Sequence, residues 1–200
     1  MGRPRRFDES DLLDAAAELF WTRGFDETSI EDIARAGGVG NGSIYAAYGS
    51  KKGLFLAALE HYCQARAAFV RDVVTGAPGT ARTAARTLLR AVVDDCAAHP
   101  DRRGCLMLNA VAHLGARIPE VGVIGRRTTA AMEDAVTARL RTHLDAEETV
   151  LAAHGAALVV TAQGLIHAAR LGTPTPRLHA IADIACAAIP QAPLISTSAD

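Results

Sequence analysis

Apolar side chains recur at intervals of three and four residues along most of the chain, which is the spacing of a helix that packs on one face. Residues 8–23 show this pattern: Leu12, Ala16 and Phe20 share a face, while acidic residues occupy the opposite side. No segment alternates apolar and polar residues as a half-buried strand does. Alanine is abundant and aromatic residues make up 4% of the chain, which also favours packed helices. The pattern predicts an all-α protein.

Gly, Pro and Asp residues divide the rest of the chain into further predicted helices. A long helix is predicted at 51–76, where a Gly-Ala-Pro-Gly sequence ends it. Five more are predicted at 80–99, 105–115, 119–144, 146–171 and 176–189. We expect a first domain at 1–50, a second at 51–190 and a disordered tail at 191–200.

Residues 28–54 predict two short helices joined by a glycine turn, followed by the start of a third helix. Thr28 and Ser29 are residue types that cap a helix N-terminus, and Gly37-Gly38 allows the chain to reverse. The second short helix, about residues 41–48, turns Ile44 inward and presents polar side chains on its outer face. This arrangement is a helix-turn-helix, whose second helix enters the major groove of DNA.

Further residues at fixed spacing surround this motif over roughly the first sixty positions. They are Leu19-Phe20, Gly24-Phe25, Ile33-Ala34, Gly38-Val39, Gly42-Ser43-Ile44-Tyr45, Tyr48, Ser50-Lys51 and Leu54-Phe55. With these residues the chain resembles the TetR family of bacterial transcription regulators. The resemblance implies an N-terminal three-helix DNA-binding domain that helix 4 joins to a C-terminal helical domain for ligand binding and dimerisation. Repression, as opposed to activation, is also implied only by the resemblance.

The predicted DNA contacts divide by their chemistry. Hydroxyl and ammonium groups that donate to phosphate oxygens are expected at Thr28, Ser29, Tyr45 and Lys51. Contacts close to the base edges are expected at the start of the recognition helix, at Asn41, Gly42 and Ser43.

The overall charge of −1 is not that of a typical nucleic-acid-binding protein, and residues 1–60 contain ten acidic against seven basic side chains. The DNA-facing surface is therefore expected to be basic only locally. An N-terminal arm with Arg3 and Arg5 supplies part of this charge. A short basic terminus is commonly a solubilising tail, but before a helix-turn-helix it can reach phosphates or the adjacent minor groove.

The recognition helix departs from the usual pattern of the family at its start and in its middle. Gly40 stands where a capping Ser or Thr is common, so Asn41 is expected to take the capping role. Ala46 and Ala47 replace bulkier polar residues. Alanine donates no hydrogen bond, so the operator sequence cannot be deduced from this helix.

Residues 149–169 contain no Asp, Glu, Lys or Arg, and their length would suffice for a membrane span. However, alanine is the most common residue of the segment, which also contains His154 and Gln163 and lacks the Leu and Phe content that favours insertion. We expect no membrane association and a helix buried among other helices. The resemblance implies that the last two long helices, about 146–189, form a four-helix bundle with a second copy of the chain.

The resemblance also implies a cavity in the C-terminal domain for an unknown small-molecule effector. The candidate lining residues are Met107, Asn109, His113 and Met132. A methionine on an apolar helix is more often part of the core than of a pocket. No cofactor is expected.

Four cysteines, at positions 63, 96, 105 and 186, occur in a chain whose basic start leads into acidic residues and not into a secretory apolar run. We expect reduced thiols in the cytoplasm. Cys105 follows two arginines near a predicted helix start, which makes it a candidate redox or electrophile sensor. The alternative is a small buried hydrophobic residue.

Other functional classes find less support in the sequence. Cys96, His99, Cys105 and His113 have poor spacing for a metal site, and we predict none. The sequence shows no recognisable arrangement of a nucleophile, a base and a group that orients the base, so we predict that the protein is not an enzyme. A ligand-independent architectural DNA-binding protein would need the same N-terminal residues, and it stays open as an alternative.

Overall fold

A computed structural model describes residues 9–190, and this range folds into nine α-helices without a strand. They are α1 (Glu9–Arg23), α2 (Ile30–Gly37), α3 (Asn41–Tyr48), α4 (Lys51–Gly76), α5 (Ala81–Ala97), α6 (Leu106–Leu114), α7 (Pro119–Arg141), α8 (Glu148–Arg170) and α9 (Thr175–Ala187). The all-α prediction is confirmed. The predicted basic arm and the predicted disordered tail lie outside the described residues.

The described residues group into two compact units. Among the described residues, unit 1 comprises residues 9–66 together with Cys105–Thr128, and unit 2 comprises Ala67–Gly104 together with residues 129–190. Helices α4 and α7 therefore contribute residues to both units. The functional boundaries after residues 50 and 190 remain predictions.

The core of unit 1 forms where the apolar face of α1 meets α2, α3 and α4. Leu12, Ile33 and Leu54 are completely buried in it. Phe20 contacts the rings of Phe25 and Phe55, at centroid distances of 6.0 and 5.0 Å. Phe25 lies in the turn after α1, and the other residues are apolar positions at helical spacing, which is why the sequence pattern predicted the helices.

The turn between α3 and α4 depends on a glycine. The Ser50 side chain accepts a hydrogen bond from the Gly53 amide (3.0 Å) and so caps α4. A Cβ atom at Gly53 would overlap the carbonyl oxygen of Tyr48, the last residue of α3. The absence of a side chain at Gly53 therefore lets the two helices follow each other closely.

In unit 2, α5 packs against both α8 and α9. Leu89 of α5, Leu158 of α8 and Ala182 of α9 are buried in this core. Two arginines satisfy carbonyl groups at and beyond helix ends. Arg82 donates to the Ile189 oxygen (2.7 Å), and Arg139 donates to the carbonyl oxygens of Val74, Ala77 and Gly79. These bonds tie distant parts of the sequence together.

Helix α8 is the one helix within residues 9–190 that is long and apolar enough, by length and composition, to cross a membrane. A core helix in a protein outside membranes passes the same test. Leu151, Leu158 and Leu165 are buried, and Gly155 lies against Thr137 and the Glu133 carbonyl. The absence of a side chain at Gly155 therefore lets α8 lie close to α7 at this point.

We expect Gly53→Ala to lower the free energy of unfolding of the protein by about 1–3 kcal/mol, because the new methyl group forces backbone atoms apart. The measurement is urea unfolding followed by circular dichroism. Gly42→Ala is the matched control: it is also a helical glycine, but no atom lies within 4 Å of the position of its Cβ. There we expect no loss of stability, since alanine favours helix by up to about 1 kcal/mol. Equal stability of the two variants would contradict the close contact.

Candidate nucleic-acid interface

Helix α2 begins with a capping box. The Ser29 side chain accepts a hydrogen bond from the Asp32 amide (3.1 Å), and the Asp32 carboxylate accepts one from the Ser29 amide (3.3 Å). The bond from the Ser29 hydroxyl is the main cause that holds the pKa of Asp32 below its ordinary value, with smaller contributions from Arg23 and Arg35. The predicted cap at Ser29 is confirmed, and it uses this hydroxyl within the protein.

The predicted reversal at Gly37-Gly38 is also confirmed. Gly38 ends α2 in the left-handed conformation (φ 64°), which favours glycine. Gly37 lies directly over Leu12, with 2.8 Å between a Leu12 methyl carbon and the position that a Cβ would take. Val39 then packs on the core of unit 1 and leads into α3.

The expectation that Asn41 caps α3 is wrong. The N-cap is Gly40, which provides no side-chain hydrogen bond, and Asn41 is already the first helical residue. The Asn41 amide group instead donates to the Glu31 carboxylate of α2 (3.4 Å). A side chain in the first turn of α3 can reach back to α2 because the glycine turn brings the two helices together.

Helix α3 is held by one fully buried side chain and presents a broad exposed face. Ile44 is 1% exposed, whereas Tyr45 is 50% exposed. The other exposed residues of the helix are Gly42, Ser43, Ala46 and Ala47. The Tyr48 hydroxyl donates to Glu9 of α1 (3.0 Å), and burial is the main cause that raises the pKa of Tyr48 to about 12. This tyrosine therefore stays protonated and anchors the end of α3.

Lys51 lies at the start of α4 and contacts the turn between α1 and α2. Its ammonium group donates to the Asp26 carbonyl oxygen (3.2 Å) and lies 4.6 Å from the centroid of the Phe25 ring. An ammonium group has three donors, so Lys51 retains donors for a phosphate oxygen. Lys52, the next basic residue, pairs with Glu120 (2.8 Å).

Sequence reasoning missed Arg117, which belongs to this surface. Its guanidinium binds both carboxylate oxygens of Asp26, at 2.8 and 2.9 Å. This interaction is the main cause that lowers the pKa of Asp26, and Lys51 contributes less. Arg117 is 91 residues distant from Asp26 in sequence. No local pattern could therefore reveal the pair.

The structure corrects the role predicted for Thr28. This residue is 1% exposed, and its hydroxyl donates to the carbonyl oxygens of Gly24 (2.7 Å) and Leu19 (3.3 Å). A buried hydroxyl with these acceptors joins the end of α1 to the start of α2 and is not available to a phosphate. The other predicted contacts, Arg3 and Arg5, lie outside the described residues.

The predicted sensor and ligand residues do not come together in one unit. Cys105, Met107, Asn109 and His113 belong to unit 1, whereas Met132 packs on the core of unit 2. Met107 is 4% exposed and is a core residue, so its predicted place in a pocket is not supported, and His113 lies on the surface of α6.

Cys105 is partly exposed at the N-cap position of α6. The Tyr62 hydroxyl donates to its sulfur (3.5 Å), and burial raises the pKa of Tyr62 well above its ordinary value. Cys63 differs from Cys105, because it is buried in the core and burial raises the pKa of its thiol to about 11. Within the part of the chain that the structure describes, no group of three or more His, Cys, Asp or Glu residues could hold a metal ion.

Comparison with known proteins agrees with this geometry. Residues 12–58 match the family model of bacterial regulatory proteins, tetR family. The chain is 27% identical over 189 residues to the uncharacterized HTH-type transcriptional regulator YezE of Bacillus subtilis (strain 168), over 92% of this chain and 97% of that protein. It is 32% identical over 108 residues to the HTH-type transcriptional repressor ComR of Escherichia coli (strain K12), over 54% of this chain and 51% of that repressor.

A solved structure extends the similarity over nearly the whole chain. It is that of the TetR family transcriptional regulator CifR, a cysteine variant complexed with 26-bp double-strand operator DNA. The similarity has a TM-score of 0.73 at 30% sequence identity, and it covers 94% of this chain and 100% of the CifR chain.

Proposed function

The chain belongs to the TetR family of bacterial transcription regulators, and from this membership we propose that it is a homodimeric repressor that binds a pseudo-palindromic operator and is released by a small-molecule effector. The family consists of transcriptional regulators and not of enzymes. The observation that carries the proposal is the exposed face of α3, a helix whose one fully buried side chain is Ile44. We place the protein in the cytoplasm, where its DNA target lies.

The exposed face offers two kinds of DNA contact. Tyr45 and Lys51 carry donors suited to phosphate oxygens, and their side chains are not buried. Ser43 and Gly42 are exposed at the start of α3, where base edges come close, and nothing obstructs the approach of DNA to Gly42. Asn41 is half-buried and has its amide on Glu31, so it must exchange this bond to contact a base.

A second copy of the chain is supported by an exposed apolar surface on α8 and α9. On α8, Ala153, Ala157, Val160 and Gly164 are exposed at alternating spacings of four, three and four residues, which is the spacing of a helix–helix seam. On α9, Ile181 and Ile184 are 39% and 74% exposed. Apolar residues concentrated on one face in this way mark a protein–protein interface. Two subunits would place two α3 helices on successive half-sites of a symmetric operator.

Ligand response is the part of the proposal that distinguishes a regulator from an architectural protein. Helix α4 contributes residues to both units and begins next to α3. We propose that an effector shifts α4 and thereby changes the separation of the two recognition helices. Coupling of this kind is reciprocal, so an effector that weakens DNA binding by roughly 1–3 kcal/mol is itself bound more weakly by the DNA complex to the same extent.

We expect Tyr45→Phe to weaken binding to the DNA beside the protein's own gene by about tenfold, since a hydrogen bond to a charged phosphate contributes roughly 1.5 kcal/mol. Lys51→Ala should lower affinity for all sequences and reduce the slope of the salt dependence by about one. Asn41→Ala should instead change the preference between operators. Fluorescence anisotropy at several salt concentrations measures all three effects. Tyr48→Phe is the matched control, because this hydroxyl binds Glu9 within the protein. Unchanged affinity for Tyr45→Phe and Lys51→Ala would contradict the proposed interface.

The dimer surface is tested with Ile184→Asp. Burying an unpaired carboxylate at a subunit interface costs about 3 kcal/mol, so we expect the dimer dissociation constant to rise roughly 100-fold. Sedimentation equilibrium compares the mass with that of the 21.0 kDa chain. Val123→Asp, a 53% exposed valine on the α7 segment of unit 1, is the control and should leave the dimer intact. A monomeric wild type, or equal effects of the two substitutions, would count against the proposed surface.

A thiol sensor is the second candidate function, and the contact between Cys105 and Tyr62 favours it. The N-terminus of α6 favours negative charge, and the Tyr62 hydroxyl donates to the sulfur of a partly exposed cysteine. An electrophile that adds to Cys105 would remove this hydrogen bond and place new atoms between α4 and α6. Such an adduct would act on the same α4 that the non-covalent mechanism uses.

We expect N-ethylmaleimide to lower the operator affinity of the wild type and to leave that of Cys105→Ser unchanged. Cys96→Ser is the matched control, because Cys96 is also partly exposed but lies in unit 2. This variant should keep the response of the wild type, as anisotropy with the same DNA would show. If Cys105→Ser responds as the wild type does, Cys105 is not the sensor and the effector is non-covalent.

A further inference from the structure

A cavity of about 310 Å³ lies within unit 2, between the end of α5, the loop that follows it, the end of α8 and the start of α9. Val93 and Leu178 give it an apolar wall, and His99, Arg102 and Thr175 give it a polar side. Its volume lies at the lower end of the range for small-molecule sites. None of the sequence-predicted ligand residues lines it.

Arg102 is held in an unusual conformation at the edge of this cavity. Within residues 9–190 it is the one residue other than glycine with a positive φ, at 53°. Residues that carry a side chain rarely adopt this backbone conformation, and those that do are concentrated at functional sites. The Arg102 amide donates to the His99 carbonyl (3.0 Å), which closes the turn.

The guanidinium of Arg102 lies over the turn between α8 and α9. A Cβ atom at Gly172 would lie 2.6 Å from its Nη1 atom, so this placement depends on the glycine. A cation is favoured at the C-terminal end of a helix such as α8, so the arginine is stable there without a ligand. Its guanidinium nevertheless forms no hydrogen bond or ion pair with any described residue, whereas the adjacent Arg103 pairs with Asp101 (2.7 Å). Five N–H donors therefore remain for an anion.

His99 borders the same space in a fixed orientation. Its Nδ1 atom lies 2.8 Å from the Asp95 carbonyl oxygen, and a carbonyl oxygen only accepts, so Nδ1 carries the proton. An imidazole in this position gives the cavity a second polar group beside the guanidinium. Val93 and Leu178, which line the same cavity, are apolar side chains of the kind that packs on a hydrocarbon body.

We propose that this cavity binds a small monocarboxylic acid, with its carboxylate bidentate on Arg102 and its apolar body against Val93 and Leu178. A planar guanidinium matches the two oxygens of a carboxylate, and the apolar wall favours an organic acid over a bare inorganic anion. A regulatory role of this cavity rests on the proposed ligand response, for which the cavity indicates the chemical class of the effector. Binding itself is a property of the free protein.

The test is isothermal titration of the full chain with benzoate, and with benzamide as its neutral counterpart and inorganic phosphate as the bare anion. We expect a dissociation constant for benzoate of about 1 mM or tighter, which nine non-hydrogen atoms can supply. Benzamide and phosphate should bind at least about tenfold more weakly, because each lacks one of the two proposed contacts.

Arg102→Gln should weaken benzoate binding at least about tenfold by removing the bidentate contact. Arg102→Gly should abolish binding while keeping or raising the melting temperature, since glycine adopts the positive φ without strain. Arg126→Gln, an exposed arginine of unit 1, should bind benzoate as the wild type does.

The inference is overturned if benzoate fails to bind, if Arg102→Gln binds it equally well, or if phosphate binds as tightly as benzoate. Each of these results would mean that the guanidinium only stabilises the C-terminal end of α8 or binds a bare anion. Operator binding is measured separately without benzoate. Operator binding without benzoate binding rejects this site alone, and benzoate binding without operator binding rejects the proposed repressor.

Discussion

Burial of Ile44 is the interaction on which the DNA-reading surface depends. Helix α3 has eight residues, which is too short for an isolated helix to be stable in water. Ile44 is its one fully buried side chain, and it joins the same core as Leu12 and Ile33. Because a helix repeats every 3.6 residues, a single buried position determines which residues face outward. The exposure of Ser43 and Tyr45 follows from it.

The partners of the carboxylates explain why the N-terminal segment contains so many acidic residues. Glu9 accepts from Tyr48, Glu31 from Asn41, Asp32 from Ser29, and Asp26 binds Arg117. Glu9 and Glu31 thus join α3 to α1 and α2, Asp32 caps α2, and Asp26 joins the turn after α1 to the loop before α7. A protein with more acidic than basic residues can therefore still offer a surface whose exposed groups are hydroxyls, amides and Lys51. Local arrangement, and not net charge, decides what approaches α3.

Helices α8 and α9 carry apolar residues on two sides, which explains the composition that resembles a membrane span. One side, with Leu158 and Ala182, is buried against α5. The other, with Val160 and Ile184, is exposed in the single chain. A helix that packs on its own subunit and also on a second copy needs few charged residues. The proposed dimer thus accounts for the apolar segment without a membrane.

Local sequence is sufficient to predict the helices and the general form of the candidate site. Glycine and proline end helices through backbone restrictions, and helical periodicity marks the buried faces, so α3 and α4 agree with their predicted ranges. Only the tertiary structure shows that Thr28 is buried, that Asn41 does not cap α3, and that Arg117 binds Asp26. It also gives Arg102 its positive φ and its place beside Gly172. These features depend on contacts between residues distant in sequence or on backbone geometry, and a hydrophobic pattern, which reports only which face of an element is buried, carries no information about them.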